Sequence, residues 1–349
     1  MSFGVYVHVP FCARRCDYCA FATWTDRHHL MEAYAHACVI EVERADLAPS
    51  TSVFFGGGTP SLLPAALLAS IVDAIPRAVG CEVTVECNPE TVTEALLAAY
   101  REAGVNRLSF GVQSMVPSVL HALGREHDPA SVERSVALAR GVGFDSFNLD
   151  LIYGGAGETV EQWRTTVEAA LGLDPPHISA YGLTVEAGTP LALDPARHPD
   201  DDDQADKYVI ADELLAAAGL ASYEISNWAK PGHECRHNIL YWSQGDYRGI
   251  GCAAHSHRAG RRWWNVRTPE RYIAAINAEE SPEGGFEVLD DDARRLEALQ
   301  LRIRTRDGVA AHSIDDLDDL DGLVTVDDGI ARLTRDGRLL ANEVALRLR

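Results

Sequence analysis

Short runs of apolar, β-branched and aromatic residues recur through the first half of the chain. They read GVYVHV at 4–9, SVFF at 52–55, EVTVEC at 82–87, RLSFGV at 107–112, SFNLDLI at 146–152 and HISAYGL at 177–183. Stretches of helical character separate them, near 27–46, 64–76, 92–103, 130–142 and 158–171. Strand alternating with helix predicts βαβ units and a parallel sheet. Six strands so connected predict an α/β fold built on a partial (β/α)6 barrel. In such sheets ligands gather at the carboxyl ends of the strands. The residues with chemical potential fall there: three cysteines after the first strand, Gly56–Pro60 after the second, Glu86–Pro89 after the third, Gln113 after the fourth and Asp150 at the end of the fifth.

The pattern changes further on. Asp194–Asp203 reads as a solvated acidic loop before a helix at 204–218, and 223–267 is rich in aromatic residues and histidine. From about 290 a helix at 290–304, a helix near 310–318, a hairpin turning at Asp328-Gly329 and a closing helix at 335–347 are predicted. The expected organisation is a barrel over 1–222, an aromatic extension over 223–285 and an α+β winged-helix-like domain over 286–349.

The net charge of −21 argues against nucleic acid as a partner, because phosphate contacts need clustered Lys and Arg. The acidic 314–328 stretch argues the same for the winged-helix-like segment. No apolar run spans a bilayer, and MSFGVYVHVP has neither a basic n-region nor a signal-peptide core, so a cytoplasmic protein is expected.

Of eight cysteines, only Cys12, Cys16 and Cys19 cluster, spaced C-x3-C-x2-C within CARRCDYC. Without a secretion signal, this reads as a metal or redox site, not a disulfide framework. Structural zinc needs four closed ligands, and no second Cys or His pair follows at zinc spacing. Iron–sulfur clusters usually take four thiolates. Three leave one iron open to a non-protein ligand, so Cys12, Cys16 and Cys19 are read as holding a [4Fe–4S] cluster. GGGTPS at 56–61 offers glycines that let backbone approach a ligand, and N–H groups to meet it. Gly249-Ile-Gly251-Cys-Ala-Ala254 imitates a dinucleotide fingerprint but lacks the βαβ context.

YVHVPFCARRCDYCAF, FFGGGTPSLL, VECNPE, RLSFGVQS, LGREHD and FNLDLIYG together resemble the oxygen-independent coproporphyrinogen oxidase-like group of the radical S-adenosylmethionine family. In that family the open iron is ligated by the amino and carboxylate groups of S-adenosylmethionine, which the reduced cluster cleaves to a 5′-deoxyadenosyl radical. The resemblance implies that Tyr6, Gly57, Gly58, Thr59 and Glu86 line the S-adenosylmethionine site. It also implies that Tyr18, Gln113, Arg125 and Asp150 contact that molecule or a second copy.

Two departures from the decarboxylases matter. They carry a fourth cysteine where this chain has Phe21, and an extension ahead of the first strand, which here begins almost at Met1. Both features, with HNILYW at 237–242 matching an HNxxYW motif, resemble the heme chaperone branch of the group. GIGCAAHS at 249–256 resembles that branch's next segment, with Cys252 and Ala253 in place of Pro and Gly. The resemblance implies bound heme, transfer to acceptor heme proteins such as membrane respiratory enzymes, peripheral association with a membrane, and a homodimer as one mode of control. The stretch 223–264 holds four of six tryptophans and four of thirteen histidines, suited to a porphyrin wall and an axial ligand. His237 is the first choice of ligand, then His255, His257 or Cys235; core packing is the alternative reading. Coproporphyrinogen III oxidation and class C radical methylation are the competing functions.

Overall fold

The computed structural model describes residues 2–348; positions 1 and 349, which end the first and last expected segments, lie outside the described residues. Six parallel strands, β1 (Phe3–Val9), β2 (Ser50–Gly57), β3 (Arg77–Cys87), β4 (Arg107–Gln113), β5 (Phe147–Tyr153) and β6 (His177–Gly182), lie in chain order. The crossovers carry α1 (Met31–Arg44), α2 (Ala65–Ala74), α3 (Glu94–Glu102), α4 (Pro117–Ala122), α5 (Pro129–Val142) and α6 (Val160–Gly172), and α7 (Asp201–Ala217) follows β6.

Side chains alternate between the two faces of a strand, and here the alternation sets the architecture. Val5, Val7, Val53, Phe55, Val83, Val85, Leu108, Phe110, Leu149 and Leu151 are buried against the helices. Residues between them, including Tyr6, Glu86, Arg107, Ser109, Asn148, Asp150, His177 and Ser179, face a lumen of about 200 Å³. The curled sheet is thus apolar outside and polar inside.

The sheet continues through β7 (Ala221–Ser222), β8 (Asn227–Ala229), α8 (Arg236–Trp242), β9 (Asp246–Ile250), β10 (His255–Arg258), β11 (Arg261–Asn265), α9 (Pro269–Asn277) and β12 (Glu283–Val288). Its order is β12-β11-β10-β9-β1-β2-β3-β4-β5-β6-β8-β7. The parallel set therefore has seven strands, because β9 pairs in parallel with β1, Tyr6 opposite Gly249. A strand does precede the Gly249–Ala254 segment. What rules out the dinucleotide reading is the strand, not helix, that follows it. The 222/223 boundary of the aromatic extension falls inside the β7–β8 hairpin, and 285/286 inside β12.

The C-terminal unit has its own core of Leu299, Ile303, Ile314, Leu320, Ala331 and Val344. It comprises α10 (Asp291–Arg302), β13 (Val309–Ala310), β14 (Val324–Asp327), β15 (Ile330–Leu333), α11 (Arg335–Leu339) and α12 (Ala341–Arg347). The hairpin turn is where expected, with φ of 49° at Asp328 and 74° at Gly329, as a two-residue type I′ turn requires. The helix expected near 310–318 is absent. Val309 and Ala310 instead pair with β15, and only single 3-10 turns follow. Arg338 and Arg335 bind Asp212 of α7, and Arg306 binds Glu234, so this unit docks beside α7 and α8.

The acidic run is a helix start more than a loop. Asp200 caps α7 by accepting from Asp203 N–H, and Asp201–Asp203 occupy the first turn, where negative charge suits the helix dipole. Asp203 also pairs at 2.6 Å with the buried Lys207. The Lys207 ammonium lies 3.4 Å from Glu158 Oε2, which also accepts from the Gly154 N–H at 2.8 Å, just past β5.

Candidate functional site

The cysteine loop is closed at its root. Phe11 bridges Trp24, Cys12 N–H donates to the Trp24 carbonyl at 3.1 Å, and Trp24 N–H donates to the Pro10 carbonyl at 2.8 Å. The His8 Nε2 contacts the Ala22 carbonyl and the His28 Nε2 the Cys12 carbonyl, each at 2.9 Å. Arg197 holds Asp17 at 2.9 Å. These ties turn Cys12, Cys16 and Cys19 into one cavity of about 350 Å³ at the barrel mouth. Burial pushes the Cys12 and Cys19 thiols up, so binding as thiolates requires a metal centre to displace their protons. Among the described residues, no three His, Cys, Asp or Glu side chains converge tightly enough for a single metal ion. Three thiols around a cavity are a donor set that suits an iron–sulfur cluster.

The same cavity gathers Tyr18, Gly57, Gly58, Thr59, Glu86, Gln113, Arg125 and Asp150. Tyr6 lies deeper, on the lumen, with its hydroxyl 3.1 Å from His8 Nδ1. The glycine turn serves differently than expected. Gly58 N–H donates to the Val9 carbonyl and Thr59 N–H to the Phe11 carbonyl, both at 2.8 Å, so neither donor is free for a ligand. A Cβ on Gly58 would sit 2.7 Å from both those carbonyl oxygens, and one on Gly57, at φ 107°, 2.4 Å from the His8 ring. The glycines let β2 approach the root of the cysteine loop.

Gly57 N–H donates to Glu86 at 3.3 Å. Burial raises Glu86 to about 8, with the Asp150 charge adding to the rise. Burial raises Asp150 as well, although Ser109 and Asn148 each donate to it at 2.8 Å. Arg125 Nη1 points to Cys16 Sγ at 3.7 Å, while its Nη2 donates to Asn88 Oδ1 at 3.1 Å and the Gly111 carbonyl at 3.0 Å. Gln113 sits at φ 62°, a strained backbone at a strand end. Asn88 was not singled out in the sequence, yet it also donates to Thr59 Oγ1 at 3.3 Å and so ties Arg125 to the glycine turn. Its place in VECNPE, one residue past β3, was the available signal. Phe21, at the position of the decarboxylases' fourth cysteine, is 61% exposed on the rim.

The structure does not bring His237 to the mouth. α8 closes the lumen's lower end, where Cys235 and Asn238 line it. His237 is 1% exposed; Nδ1 lies 3.0 Å from Ser52 Oγ and Nε2 2.8 Å from the Tyr241 hydroxyl. Neither ring nitrogen is left for an iron. His257 is likewise engaged, by the Gly245 carbonyl and the Gly260 N–H, and Cys235 is buried against Glu82. Among these candidates, His255 is exposed with no hydrogen bond on its ring. Ala253 has φ 55° where glycine was expected. Ala253→Gly relieves that left-handed strain and is expected to add about 1 kcal/mol of stability in urea denaturation; an unchanged midpoint would mean that the turn is not held this way.

Residues 6–170 match the model of the Radical SAM superfamily. The heme chaperone HemW of Mycobacterium tuberculosis is 40% identical, covering 98% of this chain and 93% of its own. HemW of Bacillus subtilis is 34% identical over 98% of this chain and 97% of its own, and that of Escherichia coli 38% identical over 84% and 83%. In overall fold the chain is similar to the coproporphyrinogen III oxidase HemN of Escherichia coli, with a TM-score of 0.86 and 23% identity, covering 99% of this chain and 89% of that one. This chain belongs to the HemW family of heme chaperones within the radical SAM superfamily.

Proposed function

We propose that this protein binds heme and passes it to acceptor heme proteins, under the control of a [4Fe–4S] cluster and S-adenosylmethionine. The observation that carries this reading is the end-to-end similarity to heme chaperones, joined to a three-thiol mouth with Phe21 in place of a fourth cysteine. Cys12, Cys16 and Cys19 would hold the cluster, and Glu86, Gln113, Arg125 and Asp150 would line the space for S-adenosylmethionine. When bound, the cluster supplies low-potential electrons and an open coordination site. The protein's own part is placement. Arg125 sets a positive charge beside Cys16, Asn88 fixes that guanidinium, and Phe21 covers the rim with an apolar surface.

Coproporphyrinogen oxidation is the second reading, favoured only by the shared fold. Anaerobic reconstitution followed by hemin titration and a coproporphyrinogen decarboxylation assay on the same samples separates the two. One heme per chain without decarboxylation is expected. Turnover of coproporphyrinogen without saturable heme binding would reverse the assignment. Among the described residues, no helix is long and apolar enough to cross a membrane.

A further inference from the structure

We infer that heme sits in the cleft between β10, β11 and the start of α9, with His255 as its axial ligand and Arg267 and Arg271 as partners of its propionates. This rests on the heme-binding reading above but places the cargo away from the HNxxYW helix.

Iron protoporphyrin asks three things of a site: a donor atom for the metal, an apolar face for the macrocycle, and cations for two carboxylates. The cleft is lined by Ala253, His255, Trp264, Arg267, Arg271 and Gly284 around about 450 Å³, within the range of ligand pockets. His255 is exposed and carries no ring hydrogen bond, unlike His237 and His257. Trp264 lies directly across the strand pair from His255, with ring centroids 5.6 Å apart and an interplanar angle of 30°. It packs on the imidazole and adds apolar surface to the cleft. Arg267 and Arg271 have no carboxylate within salt-bridge distance among the described residues, although this chain carries 52 Asp and Glu against 31 Lys and Arg. Two unpaired guanidinium groups beside an unpaired imidazole, in so acidic a protein, suit a dianionic ligand that brings its own metal.

The cleft is also mechanically joined to the cluster loop. Its Gly251–Ala254 rim is anchored by Cys252 N–H donating to the Tyr34 hydroxyl at 2.9 Å, and that hydroxyl donates to the His8 carbonyl at 2.7 Å. His8 in turn contacts Ala22 of the cysteine loop. One tyrosine therefore ties the rim of the proposed heme cleft to the strand that leads into Cys12.

The test is hemin titration of the full chain, reconstituted anaerobically, for the wild type, His255→Ala, Arg267→Ala/Arg271→Ala and His237→Gln, followed by Soret absorption and by electron paramagnetic resonance of the ferric heme. His255→Ala should lose the nitrogen-ligated signature and weaken hemin binding by about tenfold or more, and added free imidazole should restore the signature. The double arginine variant should weaken hemin but not its dimethyl ester. His237→Gln should keep the ligation signature. Wild-type binding of one heme, with His255→Ala indistinguishable in spectrum and affinity, would overturn the site and leave the chaperone reading standing. Absence of saturable hemin binding by the wild type would overturn both.

Discussion

Cys16→Ser is expected to abolish cluster incorporation while leaving the fold intact. The thiol is half-buried on a loop, and it belongs to none of the apolar clusters that hold the barrel together. Its sulfur meets the guanidinium of Arg125 at 3.7 Å. The hydroxyl that replaces it is a poor iron ligand, and two thiols cannot retain a four-iron cluster. Reconstituted wild type should contain about four iron and four sulfide per chain, with the broad visible absorption of the cluster, and the variant only background. Circular dichroism and the thermal midpoint of the iron-free proteins should differ by less than about 1 kcal/mol. The contrast is Cys38, which is fully buried between α1 and the sheet. Cys38→Ala should retain the cluster. Retention by Cys16→Ser, or loss in Cys38→Ala with the fold preserved, would contradict the three-thiol assignment.

In the iron-free protein Glu86 is expected to contribute stability that is lost as pH rises from about 5 to 8.5. Glu86 is raised to about 8 by burial and by Asp150, against an ordinary carboxyl value near 4.5 in the unfolded chain. Between those values the folded state binds the extra proton. Stability is therefore fully present below the unfolded pKa and falls as pH climbs through the folded one. Asp150 is raised too and acts in the same direction. A shift of this size, reduced by water entering the open mouth, corresponds to about 2–4 kcal/mol. Glu86→Gln keeps the Gly57 N–H contact, removes the titration, and should remove this component of the slope, so that wild type and variant diverge as pH rises. Urea unfolding across the pH range measures this directly. A slope unchanged in the variant would mean that Glu86 is ionised in the folded iron-free protein.

Much of the barrel was legible because one signal repeats. Val5, Val53, Val83, Leu108 and Leu149 each sit in a short apolar run ahead of a helix, and each became a buried position on a parallel strand. The cysteine group was legible because its three thiols are local in sequence, and the fold places all three on one cavity. β9 was hidden: DYRGI owes its strand state to pairing with β1, a partner more than 200 residues away, not to its own composition. The glycine turn lies after β2 and on the mouth cavity, but only the fold reveals that Gly58 also abuts the carbonyls of Val9 and Phe11. His237 shows the limit most clearly. Sequence weighs a histidine by its motif, whereas its availability depends on Ser52 and Tyr241, which occupy both ring nitrogens. Conversely, nothing local marks His255 as unpaired.

The most direct test of the central claim is handover itself. Hemin-loaded protein with its cluster and S-adenosylmethionine, mixed with a heme-depleted b-type heme protein, should restore the acceptor's Soret band faster than free hemin does, and faster than hemin-loaded Cys16→Ser. Equal rates for all three would contradict a cluster-dependent heme chaperone.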